Sequence, residues 1–250
     1  ASRFSHSPLL TRVTSIVVGG ATAPWSELGF TLHALTDVRN ATDDSVRCAR
    51  LGDVLLRVDP SLPAGIRHLE LMGCPSKPTD IAGLPVVHVD DARSDQHVTT
   101  RPHGAAPNAV PPAASSSRGQ ASRAFELEVV GVDHVVVLAD DVRSTCTEIE
   151  RASGASLKRV KESDRGVQGF HRLGSVILEV VERRLVEPQQ RSSVATYWGF
   201  VIVVADLDAA ARHLGPDVIG TPKNAVQEGR QIATVRSGAG LGVPLALMSA

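Results

Sequence analysis

Two ionisable side chains interrupt otherwise apolar strands in the second half of the chain. His134 lies in the run VDHVVVLAD, and Glu179 lies in the run VILEVVE. Because side chains alternate between the two faces of a strand, Glu179 shares a face with Ile177 and Val181. Desolvation by these aliphatic neighbours is expected to raise the pKa of the carboxyl group. A histidine and a carboxyl group of this kind predict proton transfer next to a carbonyl group.

A structural role for the same residues is the alternative. Asp133 and His134 could fix the start of their strand, and Glu179 could form an ion pair with Arg172 or Arg230. In that case the pKa of Glu179 would not be raised, and none of these residues would do chemistry.

The chain contains an internal repeat in which a strand leads into an acidic helix start. The two copies are residues 132–154 and 197–215. Comparison of the two copies places Gly199 opposite His134, and the strands that close the two units place Ala246 opposite Glu179. One βαβββ unit cannot bury its sheet face alone, so the duplication predicts two units packed into one curved sheet. The site between them is expected to have kept only half of its polar groups.

These patterns predict an α+β fold with paired βαβββ modules that form a curved mixed sheet. We expect modules at residues 124–186 and 194–250, preceded by a flexible linker at 94–123 that is rich in Pro, Ala, Ser and Gly. Residues 1–93 repeat the plan in abbreviated form, as one and a half degenerate βαβββ-like copies.

The composition indicates which classes of binding partner are not expected. A formal net charge of -1 gives no electrostatic reason to expect nucleic acid or an anionic membrane. The chain has no apolar run of membrane-spanning length and no secretory signal, which predicts a cytoplasmic protein. Three cysteines, Cys48, Cys74 and Cys146, have no paired spacing and are expected to be buried thiols in a reducing compartment.

Several motifs together resemble a known superfamily. They are Asp133–His134 at the strand opening, VVVLADDV, the hairpin QGFHRLGSVILEVVE and the second opening WGFVIVVADLDAAARHLG. The chain is similar in these residues to the vicinal-oxygen-chelate superfamily of glyoxalases, bleomycin-resistance proteins, methylmalonyl-CoA epimerases and extradiol dioxygenases. It looks most similar to glyoxalase-like proteins of bacteria. The resemblance implies a glyoxalase-like fold with a small-molecule pocket on the concave face of the sheet.

The resemblance also implies a metal site. His134 and Glu179 match the family's ligand positions in the first module, whereas Gly199 and Ala246 stand where the second pair would be. A divalent Zn, Fe, Mn or Ni ion is one expectation, and a pocket without metal is the other. Two donors are too few to hold a metal tightly. Further donors would come from neighbours such as Gln168 or His171, or from a second chain in a homodimer.

The turn at Gly174 decides which side chains accompany Glu179. A two-residue turn places three residues of the preceding strand on its face, namely Gln168, Phe170 and Arg172, with His171 on the other face. A three-residue turn reverses this arrangement.

Other polar or aromatic candidates lie in the second module. Arg230, with Lys223 and Gln227 from the same loop, could clamp an anionic or carbonyl-bearing ligand, or could be solvated charges. Trp198 could form a wall of the pocket or plug the core.

Two functions follow from these residues. The first is a lyase or isomerase that acts on a small carbonyl or carboxylate compound through His134 and Glu179. Its substrate-binding residues would be Gln168, Phe170, Arg172, Trp198 and Arg230. The second is a non-catalytic protein that binds and sequesters a small molecule, of the bleomycin-resistance type. A scaffold without either activity is a third.

Overall fold

The computed structural model describes residues 10–35, 45–90, 125–164 and 166–250. Within these ranges two curved mixed β-sheets, of seven and eight strands, carry most of the regular structure. The predicted α+β fold of paired modules is confirmed. The predicted linker at 94–123 lies outside the described residues, so the domain boundaries stay a prediction.

The N-terminal sheet contains one complete unit and one abbreviated unit. The complete unit consists of β1 (Arg12–Gly19), α1 (Ala23–Glu27), β2 (His33–Ala34), β3 (Arg47–Leu51) and β4 (Val54–Asp59). The abbreviated unit consists of β5 (Gly65–Met72), β6 (Asp80–Ile81) and β7 (Leu84–His88), with no helix between β5 and β6. The strand order is β2-β3-β4-β1-β5-β7-β6.

The C-terminal sheet contains two complete units. The first consists of β8 (Val129–Ala139), α2 (Val142–Ser153), β9 (Leu157–Ser163), β10 (Gly166–Leu173) and β11 (Val176–Glu182). The second consists of β12 (Thr196–Val204), α3 (Leu207–Leu214), β13 (Lys223–Asn224), β14 (Gln231–Thr234) and β15 (Leu245–Ser249). The strand order is β13-β14-β15-β12-β8-β11-β10-β9.

Local signals in the sequence account for the ends of the two longer helices. The side chain of Asp141 accepts a hydrogen bond from the backbone N–H of Ser144 at 2.9 Å, and Asp206 does the same for Ala209 at 2.7 Å. These N-caps satisfy backbone donors that a helix start leaves free. Gly154 ends α2 with a φ of 72°, a left-handed conformation that glycine adopts without strain.

The strand register confirms the internal repeat. In the first unit β8 and β11 are parallel, Val136 is opposite Glu179, and His134 precedes Val136 by two residues. In the second unit β12 and β15 are also parallel. The corresponding residues there are Val201, Ala246 and Gly199. The structure therefore places Gly199 and Ala246 at the positions that His134 and Glu179 occupy in the first unit.

One continuous hydrophobic core lies between the two sheets. It contains Val135 and Val137 of β8 and Ile16 of β1, and Trp25 of α1 stacks on Phe200 of β12 with ring centroids 6.2 Å apart. Because neighbouring residues of a strand alternate in direction, His134 points to the opposite face of the C-terminal sheet. No helix in the described ranges is long and apolar enough to span a membrane.

The three cysteines are buried and unpaired, as predicted. Cys146 lies in the shared core, and burial raises the pKa of its thiol to about 11. A thiol with so high a pKa is a poor nucleophile at neutral pH.

Candidate functional site

The face of the C-terminal sheet that points away from the core forms one wall of a cavity of about 730 Å³. Both edge strands, β9 and β13, line this cavity together with the central strands β8 and β11. Two opposite edges can meet at one cavity only if the sheet curves around it. The volume is within the range of small-molecule sites.

His134 and Glu179 lie together in the wall of this cavity. The Nε2 atom of His134 is 3.4 Å from Oε2 of Glu179, and the two side chains are only 16% and 15% exposed. Both residues come from the central strands β8 and β11, which are held by ladder hydrogen bonds. The pair is therefore supported by rigid backbone.

Asp133 orients the imidazole ring from the other side. Its Oδ2 atom is 2.7 Å from Nδ1 of His134, while Arg230 and Gln227 each donate a hydrogen bond to the same carboxylate at 3.3 Å. The hydrogen bond with His134 is the largest cause of the lowered pKa of Asp133, and the charges of His134 and Arg230 act in the same direction against the effect of burial. An ionised carboxylate only accepts hydrogen bonds, so Nδ1 of His134 carries a proton, and in the neutral form of the ring Nε2 is left as an acceptor.

The pKa of Glu179 is shifted in the opposite direction to that of Asp133. Burial raises its pKa, in the direction expected from its aliphatic neighbours, against the weaker opposing effects of His134 and Lys161. Gln168 donates a hydrogen bond from Nε2 to Oε1 of Glu179 at 2.8 Å. Two carboxyl groups on one imidazole, one stabilised as the anion and one shifted toward the acid, are suited to the roles of orienting group and proton donor.

The hairpin between β10 and β11 has the two-residue turn. Leu173 pairs with Val176, and Phe170 lies directly opposite Glu179. Phe170 and Gln168 consequently line the cavity. His171 points into the core and is buried, with Nδ1 2.9 Å from the carbonyl oxygen of Ala155, so it cannot reach the site.

Arg172 and Trp198 do not line the cavity. Arg172 is exposed at the end of its strand and donates a 3.4 Å hydrogen bond to the carbonyl oxygen of Gly174. It forms no ion pair with Glu179. Trp198 packs against a small apolar cluster farther along the same face, which contains Val136, Leu138 and Val181. Its indole ring therefore packs on these aliphatic side chains and not in the cavity.

The donor set does not fit a tightly held metal. His134 and Glu179 are close enough to contact one ion, but no group of three or more His, Cys, Asp or Glu side chains in the described residues could hold one. Gly199 offers no donor, and a Cβ atom built there would lie 2.5 Å from the carbonyl oxygen of Pro244. The backbone thus leaves no space for a larger ligand at that position.

Two charged residues of the cavity were not indicated by the sequence pattern, among other lining residues. Arg159 and Lys161 of β9 line the cavity and lie opposite Phe170 and Gln168. Strand β9 is polar on both faces, so alternation alone gave no signal. The hairpin register, which places these residues beside Phe170 and Gln168, was the available clue.

Comparisons with known proteins identify the fold. No family model matches the chain, and no curated protein matches it significantly. A variant of 4-hydroxymandelate synthase from Streptomyces coelicolor matches 95% of this chain and 92% of its own, with 15% identity and a TM-score of 0.56. Methylmalonyl-CoA epimerase from Mycobacterium tuberculosis matches 48% of this chain and 88% of its own, with 17% identity and a TM-score of 0.40. The synthase is a member of the vicinal-oxygen-chelate superfamily, and its likeness over the full length shows that fold.

Proposed function

We propose that this chain, which has the vicinal-oxygen-chelate fold, is an isomerase or lyase that moves a proton on a small carbonyl or carboxylate compound. One observation carries the proposal. Nε2 of His134 is 3.4 Å from Oε2 of Glu179 in the wall of a ligand-sized cavity, while Asp133 holds Nδ1 of the same ring.

The geometry assigns a role to each group. Neutral His134 accepts a proton at Nε2 from the carbon next to the substrate carbonyl, and ionised Asp133 stabilises the imidazolium that forms. The electron pair of the broken C–H bond moves onto the carbonyl oxygen as an enolate. Glu179, whose raised pKa favours its acid form, returns a proton to that carbon. Both groups lie on one wall of the cavity, so the proton returns from the side on which it left. Delivery to the neighbouring carbon of an enediolate gives isomerisation, and loss of a β-substituent from the enolate gives a lyase reaction.

Deuterium exchange tests this proposal without knowledge of the full reaction. A panel of 2-oxo acids, 3-oxo acids and 2-substituted thioesters is incubated with the protein in D₂O, and loss of the α-proton signal is followed by NMR. We expect enzyme-dependent exchange in at least one compound and a decrease of roughly 100-fold or more in His134→Ala. Equal rates in the wild type and the variant across the panel would refute the proposal.

Non-catalytic binding is the second candidate function. The second unit contributes apolar side chains to the cavity, such as Ile232 and Met248, and Gly199 and Ala246 bring no polar group to this face. Such a surface is suited to hold a ligand without reacting with it. If Glu179→Gln changes only the affinity for a ligand that the wild type does not turn over, this function is favoured.

A further inference from the structure

We infer that the substrate carries at least two negative charges and that Arg159, Lys161 and Lys223, which line one cavity, bind its anionic groups. The inference rests on the proposed function, because it names the class of substrate for the same cavity. The three cations lie on the two edge strands of the C-terminal sheet, Arg159 and Lys161 on β9 and Lys223 on β13. All three line the cavity.

These three side chains have no direct anionic partner among the described residues. Neither a side-chain hydrogen bond nor an ion pair joins Arg159, Lys161 or Lys223 to any of the residues that the structure describes. Arg230, by comparison, is committed to Asp133. A cavity wall with three cations that have no direct anionic partner in the described residues attracts anions and raises their local concentration.

The carboxyl groups of the cavity offset this charge only in part, through the attraction between Lys161 and Glu179. Asp133 and Glu179 are the acidic side chains that line the cavity among the described residues. Asp133 is already bound to His134 and Arg230, and burial favours the uncharged form of Glu179. A ligand with one negative charge would leave two of the three cations without a counter-charge, which is why we infer at least a dianion.

The strand register also gives the distance between the anionic group that binds Arg159 and Lys161 and the carbon that reacts beside Glu179. Strand β9 is separated from β11 by β10, a distance of two strand spacings or about 10 Å. The aromatic ring of Phe170 and the side chain of Ile177 line the cavity close to Glu179. The substrate therefore carries its anionic group several bonds from the reacting carbon, with an apolar segment between them.

Binding of simple polyanions tests the inference without a substrate. Pyrophosphate and citrate are titrated into the full chain by calorimetry at constant ionic strength. We expect saturable binding that weakens roughly tenfold or more in the double variant Arg159→Gln/Lys161→Gln. Lys158→Gln is the matched control, since Lys158 is on the same strand, does not line the cavity and binds Ser156 instead. It should bind both anions within twofold of the wild type.

The relative affinities for the two anions distinguish two classes of substrate. Tighter binding of pyrophosphate identifies a phosphate-bearing substrate, and tighter binding of citrate identifies a polycarboxylate. If the double variant does not fold, Lys223→Gln on the opposite edge gives the same comparison. No saturable binding by the wild type, or equal weakening in Lys158→Gln, would overturn the inference. His134→Ala should retain polyanion binding, so the anion site and the proton transfer can fail separately.

Discussion

At the scale of single residues, the site depends on one imidazole between two unlike carboxyl groups. The hydrogen bond from His134 lowers the pKa of Asp133, and burial raises the pKa of Glu179. The difference arises from position. Asp133 has three hydrogen-bond donors around it, whereas Glu179 has one donor, Gln168, and apolar neighbours. Only the combination places an oriented base beside a carboxyl group whose pKa is shifted toward the acid form.

Asp133→Asn tests the orienting role. The amide can donate to Nδ1 and so favours the tautomer that carries its proton on Nε2, which removes the base. We expect deuterium exchange to decrease by about 100-fold or more while the fold is kept, and nitrogen NMR of the imidazole to show the changed tautomer. Gln227→Ala, which removes one other hydrogen bond to the same carboxylate, is the control and should change the rate less than about threefold. A fully active Asp133→Asn with the original tautomer would show that Asp133 does not orient the ring.

The raised pKa of Glu179 predicts how stability depends on pH. Because burial raises the folded-state pKa above the ordinary value of a glutamate, this carboxyl group contributes stability that is present below the unfolded pKa and is lost as the pH rises through the folded pKa. Glu179→Gln removes that loss. Urea unfolding should show the variant gaining stability relative to the wild type between pH 4 and pH 8. A constant or decreasing difference over this range would contradict the assigned direction.

At the scale of elements, the backbone of β12 lies close to Pro244, just before β15. This contact determines whether the second unit can carry a side chain at position 199. A Cβ atom at Gly199 would meet the carbonyl oxygen of Pro244 at 2.5 Å, whereas a Cβ atom at Gly131 of β8 meets nothing within 4 Å. We expect Gly199→Ala to lower the free energy of unfolding by about 1–3 kcal/mol and Gly131→Ala to change it by less than about 0.5 kcal/mol. Urea denaturation compares the two. Equal stability of both variants would show that β12 can move to admit a side chain.

The sequence predicted the strands that carry His134 and Glu179 more accurately than the segments that form the rest of the cavity wall. The alternation of side chains between the two faces of β8 and β11, together with the glycine at position 154 that ends α2, was sufficient to predict the first unit. The turn at Gly174 was left open, because a polar hairpin gives no signal for its length. The contact of Arg230 with Asp133 joins residues 97 positions apart, and β13 has only two residues, so neither had a local pattern. Arg159 and Lys161 were hidden by the even polarity of their strand.

At the scale of the whole molecule, the N-terminal sheet supports the site from behind. Its core residues and those of the C-terminal sheet form one cluster, in which Trp25 is fully buried against Phe200 of β12. Strand β12 pairs with β8, the strand of His134. The backbone that positions the pair is therefore stabilised by both sheets.

This shared core predicts a single cooperative unfolding transition. Trp25→Phe leaves Trp198, on the C-terminal sheet, as the chain's only tryptophan and therefore as a local fluorescent probe. In this variant the urea midpoint from Trp198 fluorescence should coincide with the midpoint from far-ultraviolet circular dichroism, which reports on both sheets. Both midpoints should lie below that of the wild type, because a smaller ring leaves a cavity in the core. Two separate midpoints would show that the sheets unfold independently.

The central claim is that the chain's own residues move the proton, and deuterium exchange before and after chelation tests it most directly. The wild type and His134→Gln are dialysed against EDTA, their metal content is determined by elemental analysis, and α-proton exchange is measured with the most reactive compound of the panel. We predict that chelation does not change the wild-type rate and that His134→Gln abolishes exchange. Loss of exchange on chelation, with recovery on addition of Zn, Fe, Mn or Ni, would contradict it.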